Sequence, residues 1–371
     1  MDDLDRGYLM AVAGALVWTP RALRSWLDAL GSARAVLDAI QSQDVALPPG
    51  AEALSAAAIE RLRAIGDEQA RRAVDDLGDS GARLVTDADT DYPQAMRDLA
   101  DPPPLLYLRG NADALRTRSV AIVGSRAATS YGRNVAASLA HAFAGYGATI
   151  VSGLARGIDA AAHTAALHAG APTVAVVGSG LCALYPSYHA LLADEIVAAH
   201  GAIVSEFPPR MEARAHQFPM RNRIVAALGA ATIVVEAGTR SGALITARLA
   251  DEIGRHVFAI PGDVGRPTSA GTNGLIKDGV PLITDAADAA ALLGWSVEIA
   301  ATGHDSTGEP LLALVTPSGI DIDELAARTG IDAGTLLGRL TLLELQGRVQ
   351  RLPGGAFAAV NASRSPNASA R

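Results

Sequence analysis

Lysine is almost missing from this chain. Of 31 basic residues only Lys277 carries an ammonium, and the rest are arginine. Almost every cation is therefore a guanidinium, able to grip phosphate as a bidentate fork or to lie flat on a base. Cysteine is as scarce: Cys182 stands alone, which excludes an internal disulfide framework and fits a reducing compartment. Charge interrupts every apolar stretch before it reaches the roughly 18 residues a membrane-spanning helix needs. The opening MDDLDRGYLM is acidic, unlike a secretory leader. A cytoplasmic protein without a membrane segment is expected. Missing too are a G-x-x-x-x-G-K-[ST] phosphate loop, H-E-x-x-H, C-x-x-C and a G-x-S-x-G elbow. No catalytic nucleophile, resident metal or cofactor is expected.

What is present is a chain of 371 residues, 49 % apolar, with room for two or three domains. The net charge of −8 speaks against a polyanionic partner, but its distribution matters more than its sum. Between Arg109 and Arg156 six arginines face one acid, Asp113, a local excess of five positive charges.

Residues 1–78 carry helical periodicity (YLMAVAGALVW, ALRSWLDALGSARAVLDAI, AEALSAAAIERLRAIG) and form an all-helical domain. RLVTD and LLYLRG are short strand-like runs flanking the proline-rich DPPP at 101–104. From Ser119 six uniformly apolar runs alternate with helical stretches: 119–125, 149–153, 172–179, 202–207, 232–237 and 256–262. That pattern predicts an α/β domain over 79–294 with a mainly parallel, doubly wound sheet covered on both faces. The runs end in Gly124, Ser152, Gly178, Glu206, Glu236 and Pro261, at the carboxyl ends where open α/β sheets bind ligands. A polar linker covers 295–309. Residues 310–360 then read as helix, turn, helix and a hairpin tipped by Pro353-Gly354-Gly355, a winged-helix pattern. The segment 361–371 is a disordered tail.

Four strand ends collect Gly, Ser and Arg. GSRAATSYGR places Gly124, Ser125 and Arg126 at the first strand–helix junction, where helix amides attract anions. SGLARGIDAAAH repeats the arrangement with Gly153, Arg156 and Gly157, and Asp159 follows as a possible N-cap. VVGSGLCALYP contains a G-x-G-x-x-A match through Gly178, Gly180 and Ala183, with Glu206 ending the next strand. Pro186 follows too soon for a helix to begin over a pyrophosphate, so a dinucleotide is not expected there. EAGTRSGALITA supplies Arg240 and Ser241. Beside these junctions stands FPMRNR: Phe218 offers a base a face, Arg221 and Arg223 can neutralise phosphates, and Asn222 can donate and accept at a base edge. Glu206 and Glu236 are the carboxylates placed for acid–base work; Glu236 could equally hold Arg223 or a backbone amide. Such a set suits an extended polyanion better than a small substrate.

GSRAATSYGR, SGLARGIDAAAH, GSGLCALYP, SEFPP, FPMRNRIVAAL, VVEAGTRSGALITARLA and VFAIPG with GTNGLIKDG, in that order from about Leu84 to Gly294, resemble the DNA-processing protein A (DprA, also called Smf) family. The resemblance implies an extended Rossmann-like domain that binds single-stranded DNA, protects incoming DNA during natural transformation and loads the RecA recombinase, as a homodimer and not as an enzyme. It implies DNA contacts from Gly124, Ser125, Arg126, Phe218, Arg221 and Arg223, with the Gly153, Gly157 and Gly180 turns lining the same groove. The amino-terminal helices lack the Gly-x-Gly hairpin of a DNA-binding helix–hairpin–helix. The carboxy-terminal unit resembles the family's winged helix, with a second helix too poor in cations for a major groove, so a protein contact or a dimer role is expected there. After Tyr185-Pro186 this chain has Ser187 and His189, where the family commonly shows an asparagine and often a basic residue. An alternative is a Rossmann-like nucleoside-monophosphate phosphoribohydrolase acting through Glu236. A third is a nucleotide-sensing regulator that works through the winged helix.

Overall fold

The computed structural model describes residues 2–17, 19–42, 47–296, 311, 314–316, 319–329, 331–345, 349–352 and 355–359. Five helices come first: α1 (Asp3–Ala15), α2 (Pro20–Leu30), α3 (Ala33–Gln41), α4 (Ala56–Arg63) and α5 (Asp67–Asp79). Their starts follow from short polar caps. Asp2, Ser32 and Ser55 each accept a backbone amide of the first turn, and Pro20 opens α2 at a position where its missing N–H costs nothing. Helices α1 and α5 meet backbone to backbone, since a Cβ on Gly7 would lie 2.3 Å from the Ala70 carbonyl oxygen.

Next come β1 (Arg83–Thr86) and β2 (Leu105–Gly110), then the alternating series β3 (Ser119–Val123), α6 (Ser130–Ala144), β4 (Thr149–Ser152), α7 (Ile158–His168), β5 (Thr173–Val176) and α8 (Ala190–Ala198). The series continues with β6 (Ala202–Ser205), α9 (Gln217–Leu228), β7 (Ala231–Val234), α10 (Gly242–Glu252) and β8 (His256–Ala259), and closes with α11 (Ala270–Lys277) and α12 (Ala286–Leu292). The eight strands form one sheet in the order β1-β2-β6-β5-β4-β3-β7-β8. Neighbours from β6 to β8 pair in parallel, whereas β2 pairs antiparallel with both β6 and β1. All six apolar runs are strands of the parallel part, buried on both faces as their composition requires.

Strand periodicity sorts the side chains into layers. Ala121, Val123, Val174, Val176 and Val204 point to one face, where α9 and α10 pack. Val120, Ile122, Ile150 and Ile233 point to the other face and meet α6, α7 and α12. Across β2, β5 and β6 that second face is covered by the amino-terminal helices: Tyr107, Ala175, Val177 and Ile203 share a cluster with Met10, Leu16, Trp26 and Leu62. Each large apolar side chain buried there contributes on the order of 1.5–3 kcal/mol. Contacts divide the chain into two units, Met1–Glu298 and Ile299–Arg371. The change of character near residue 78 falls inside the first, with one hydrophobic cluster spanning it.

Strands β3 to β6 step outward in one direction, and the chain then returns to lay β7 on the other side of β3. The β3–β7 boundary is thus the topological switch point, where an open α/β sheet leaves a crevice at its carboxyl edge.

The second unit contains α13 (Ile322–Thr329), α14 (Ala333–Leu345) and the antiparallel pair β9 (Val349–Arg351) and β10 (Phe357–Ala359). Leu325, Leu336, Leu340, Val349 and Phe357 form its core, and Ile320 bridges to Phe357. Gly355 is described, while Pro353, Gly354, the linker from 297 onward and the tail at 361–371 lie outside the described residues. Among the described residues no helix is long and apolar enough to cross a membrane.

Candidate nucleic-acid interface

At the switch point an open groove of roughly 1060 Å³ is walled by the loops after β3, β4 and β7 and by the first turns of α9 and α10. Gly124, Ser125, Arg126, Gly153, Phe218, Arg221, Asn222, Arg240 and Ser241 all line it. Residues scattered over more than a hundred positions of sequence therefore meet in one place. Gly157, Gly180 and Arg223 are not among its lining residues, and Arg156 borders a smaller adjoining space of about 250 Å³.

The loop after β3 is pinned from below. The Ser125 amide donates to the Glu236 carbonyl (2.7 Å), the Ile158 amide to the Ser125 carbonyl (3.3 Å), and the Ser125 hydroxyl accepts the Ala127 amide (3.1 Å). Arg126 emerges from this support exposed, with its guanidinium 4.8 Å from the Phe218 ring centre. Tyr185 flanks the same ring at 5.6 Å. Phe218 is half-buried, so the free aromatic face that the sequence offers is already stacked by Arg126.

The glycines act differently from the phosphate-approach role expected of them. A Cβ on Gly124 would lie 2.6 Å from Ile158, one on Gly153 2.3 Å from Arg221 Nη1, and one on Gly178 2.9 Å from Phe218. At β4 and β5 the strand ends are bare so that side chains of α9 can lie against them. Gly157, at φ +88°, sits under the 125–126 loop. Gly180 is enclosed by the Pro208 and Pro209 carbonyls, each of which would lie 2.1 Å from a Cβ there, and it donates its amide to Met211 (2.8 Å). The G-x-G-x-x-A match is therefore a packing junction.

Arg221 forms the groove floor. It is 4 % exposed, donates from Nη1 to the Val176 carbonyl and leaves Nε without a hydrogen-bond partner. Burial lowers its pKa to about 10, opposed by the charge of Asp159. Asp159 is buried too, and its carboxylate accepts the Gly153 and Ala155 amides (3.1 and 3.2 Å) ahead of α7, whose N-cap is Gly157. Burial raises the Asp159 pKa and Arg221 pulls it back.

Arg223 has another occupation. Its Nη1 and Nη2 donate to the two Glu206 carboxylate oxygens (3.1 and 2.7 Å) and its Nε to Asp101 (3.3 Å), in a site where it is 6 % exposed. Burial alone would lower its pKa, but the two carboxylates outweigh that and raise it. The fork expected on a phosphate is filled from within.

Glu236 is likewise committed. Its carboxylate accepts the Thr129 amide (2.8 Å) and hydroxyl (2.5 Å), and a Cβ on Gly132 would lie 2.4 Å from it. The protein's own carboxylate thus occupies the amino-terminal end of α6, where the sequence placed a ligand anion. Helix α10 is open by comparison: Ser241 caps it, with its hydroxyl accepting the Ala243 amide (3.3 Å), and Arg240 stands exposed beside the cap. Asn222 donates to the Gly242 carbonyl (3.2 Å), joining α9 to α10 across the groove.

The excess of positive charge between 109 and 156 is not one patch. Arg109 pairs with Asp194, Arg116 with Asp91 and Asp113, and Arg118 lies over Trp295. Arg126, Arg156 and Arg240 enter none of the ion pairs among the described residues. Sequence reasoning missed Tyr185, Tyr188 and Thr239 near the groove; the surplus of tyrosine in LYPSYH was the available signal.

Fold and site together define a doubly wound, Rossmann-like protein with a cationic groove at its switch point. Residues 83–294 match the DNA recombination-mediator protein A family and residues 298–355 the DprA winged helix domain. The chain belongs to the DprA/Smf family. It is 39 % identical to Protein Smf of Escherichia coli over 276 residues, covering 71 % of this chain and 74 % of that one. With the putative DNA processing protein DprA of Mycobacterium tuberculosis it shares 37 % identity over 308 residues, 75 % and 79 % of the two chains. The X-ray structure of DprA from Streptococcus pneumoniae superposes with a TM-score of 0.64 at 32 % identity, over 80 % of this chain and 99 % of that one. A structure describing the single-stranded DNA binding mode of the Helicobacter pylori protein superposes at 0.53 and 32 % identity, over 58 % and 99 %.

Proposed function

We propose that this chain binds single-stranded DNA in the switch-point groove, protects it there and passes it to the RecA recombinase during natural transformation. It acts in the cytoplasm, as a homodimer and by binding alone. The observation that carries the reading is the set of exposed arginines that enter no ion pair among the described residues, Arg126, Arg156 and Arg240, gathered around Phe218, which Arg126 overlies and Tyr185 meets at a tilt. Guanidinium groups without a carboxylate partner favour phosphates, and accessible rings favour unpaired bases. The Helicobacter pylori relative, described with single-stranded DNA, supports the same ligand. The recombinase and the second copy rest on the family alone. Within this reading residues 1–78 form a helical domain, 79–294 the DNA-binding domain and 310–360 the winged helix. Gly124, Ser125, Gly153, Asn222 and Ser241 shape the groove, with Arg221 as its charged floor. Hydrolysis at Glu236 has little support, because that carboxylate is 3 % exposed and bound to Thr129.

The test is fluorescence anisotropy of a labelled oligo-dT across a salt series. Wild-type protein should bind with an affinity that falls as salt rises, and Arg126→Ala should bind more weakly with a slope shallower by about 0.7, the share of one phosphate. No binding by the wild type at low salt would overturn the reading.

A further inference from the structure

Next to Phe218 the groove opens into the second space of about 250 Å³, walled by Tyr185, Pro186 and Tyr188 on one side and by Arg126 and Arg156 on the other. Tyr188 is 64 % exposed and Tyr185 49 % exposed, although each is a large ring in a protein that has few. Neither ring belongs to a hydrophobic cluster among the described residues. Both are nevertheless held. Tyr188 meets the His189 ring edge-on at 4.6 Å, and His189 Nδ1 donates to the Leu154 carbonyl (2.8 Å). Leu154 is a buried residue at φ +57°, a conformation that a leucine adopts only where its surroundings impose it. The Tyr185 amide donates to the buried Ser179 hydroxyl (3.1 Å), and its ring leans on Phe218. Arg156 is tied through Nε to the Arg126 carbonyl (3.0 Å), which holds it at the rim.

We infer that this space is a subsite for one unpaired nucleobase, taken by its face on Tyr188, one step beyond the Arg126–Phe218 column. The inference rests on the single-stranded DNA reading above and adds to it where on the strand the protein holds a base rather than a phosphate. An aromatic face stacks on any base, so the subsite is tolerant of sequence. A fixed exposed ring also loses little conformational entropy when a base lands on it, in contrast to a mobile one. Arg126 and Arg156 flank the entrance and donate to the phosphates on either side of the inserted base.

The experiment compares wild type, Tyr188→Ala and Tyr188→Phe by anisotropy, using oligo-dT and a set of the same oligonucleotides in which one abasic site is moved along the strand. Tyr188 is exposed, so the variants should fold, and melting curves check that they do. The expected result is a roughly tenfold weaker Kd for Tyr188→Ala with an unchanged salt slope, near wild-type binding by Tyr188→Phe, and one abasic position that costs wild type but not Tyr188→Ala. Equal binding of oligo-dT by wild type and Tyr188→Ala, a shallower salt slope in Tyr188→Ala, or an abasic cost that persists in it would each overturn the subsite while leaving DNA binding intact. Failure of the wild type to bind any oligonucleotide would overturn the parent reading as well.

Discussion

On α9, Arg221 turns toward the ends of β4 and β5 while Arg223 faces Glu206 and Asp101. The two have the same side chain, the same helix and nearly the same burial, and they serve different parts of the molecule. A helix advances about 100° per residue, so positions two apart point about 200° from each other. They were never able to line one groove together. The front of α9 carries the floor of the groove, and its back carries the ion pair to Glu206 and Asp101. One motif thus holds a groove-lining arginine and one closed by carboxylates, and residue type does not say which is which.

The sharpest break of that comparison is Arg223→Ala. It strands the Glu206 carboxylate in a buried site, and losing one partner of such a pair costs about 3–5 kcal/mol. Chemical denaturation should show that loss, while the folded fraction keeps the wild-type salt slope for oligo-dT. A changed slope with unchanged stability would move Arg223 to the groove. Phe218→Ala acts on the front instead: affinity for oligo-dT should fall by about 1–3 kcal/mol with little loss of stability.

The smallest effect comes from a buried histidine behind the groove floor. His163 is fully buried on α7, its Nδ1 shared with the Thr173 hydroxyl, and its pKa is lowered to about 3 by burial first, then by the charges of His189 and Arg221. The folded protein excludes a proton that the unfolded chain takes up below about pH 6.5. Stability from this group is therefore complete above that value and declines as pH falls toward 3, by up to about 1.4 kcal/mol per pH unit. Denaturation at about pH 6.5 and about pH 5.5 should show that slope in wild type and a flatter one in His163→Asn.

Much of the architecture was legible because strands buried on both faces have no choice of composition. All six runs from SVAIV to HVFA are strands, and the short RLVT and LLYLRG runs pair at the edge. The groove was legible as a set of strand ends, since the residues that follow β3, β4 and β7, Gly124, Gly153 and Arg240 among them, meet there. What stayed hidden was commitment. Nothing in FPMRNR announces that Arg223 is closed by a carboxylate seventeen positions earlier, a contact that arises only when β6 and α9 are packed side by side. The glycines were legible as necessary, and the neighbour that excludes a Cβ from Gly153 is the Arg221 guanidinium. Tyr188 was overlooked because a tyrosine in a short 3₁₀ turn has no periodicity to mark it.

The Glu236 carboxylate at the head of α6 has one more consequence. Architectures of this type often leave that position vacant for the phosphate of a soluble nucleotide, and such proteins compete for occupancy with whatever the cell's metabolite pool contains. Here the seat is taken by a side chain of the same chain, fixed by Thr129 and closed over by Gly132. The head of α6 is thus closed by the chain itself, and under the proposed function the rest of the crevice is left for a strand that reaches past the plug.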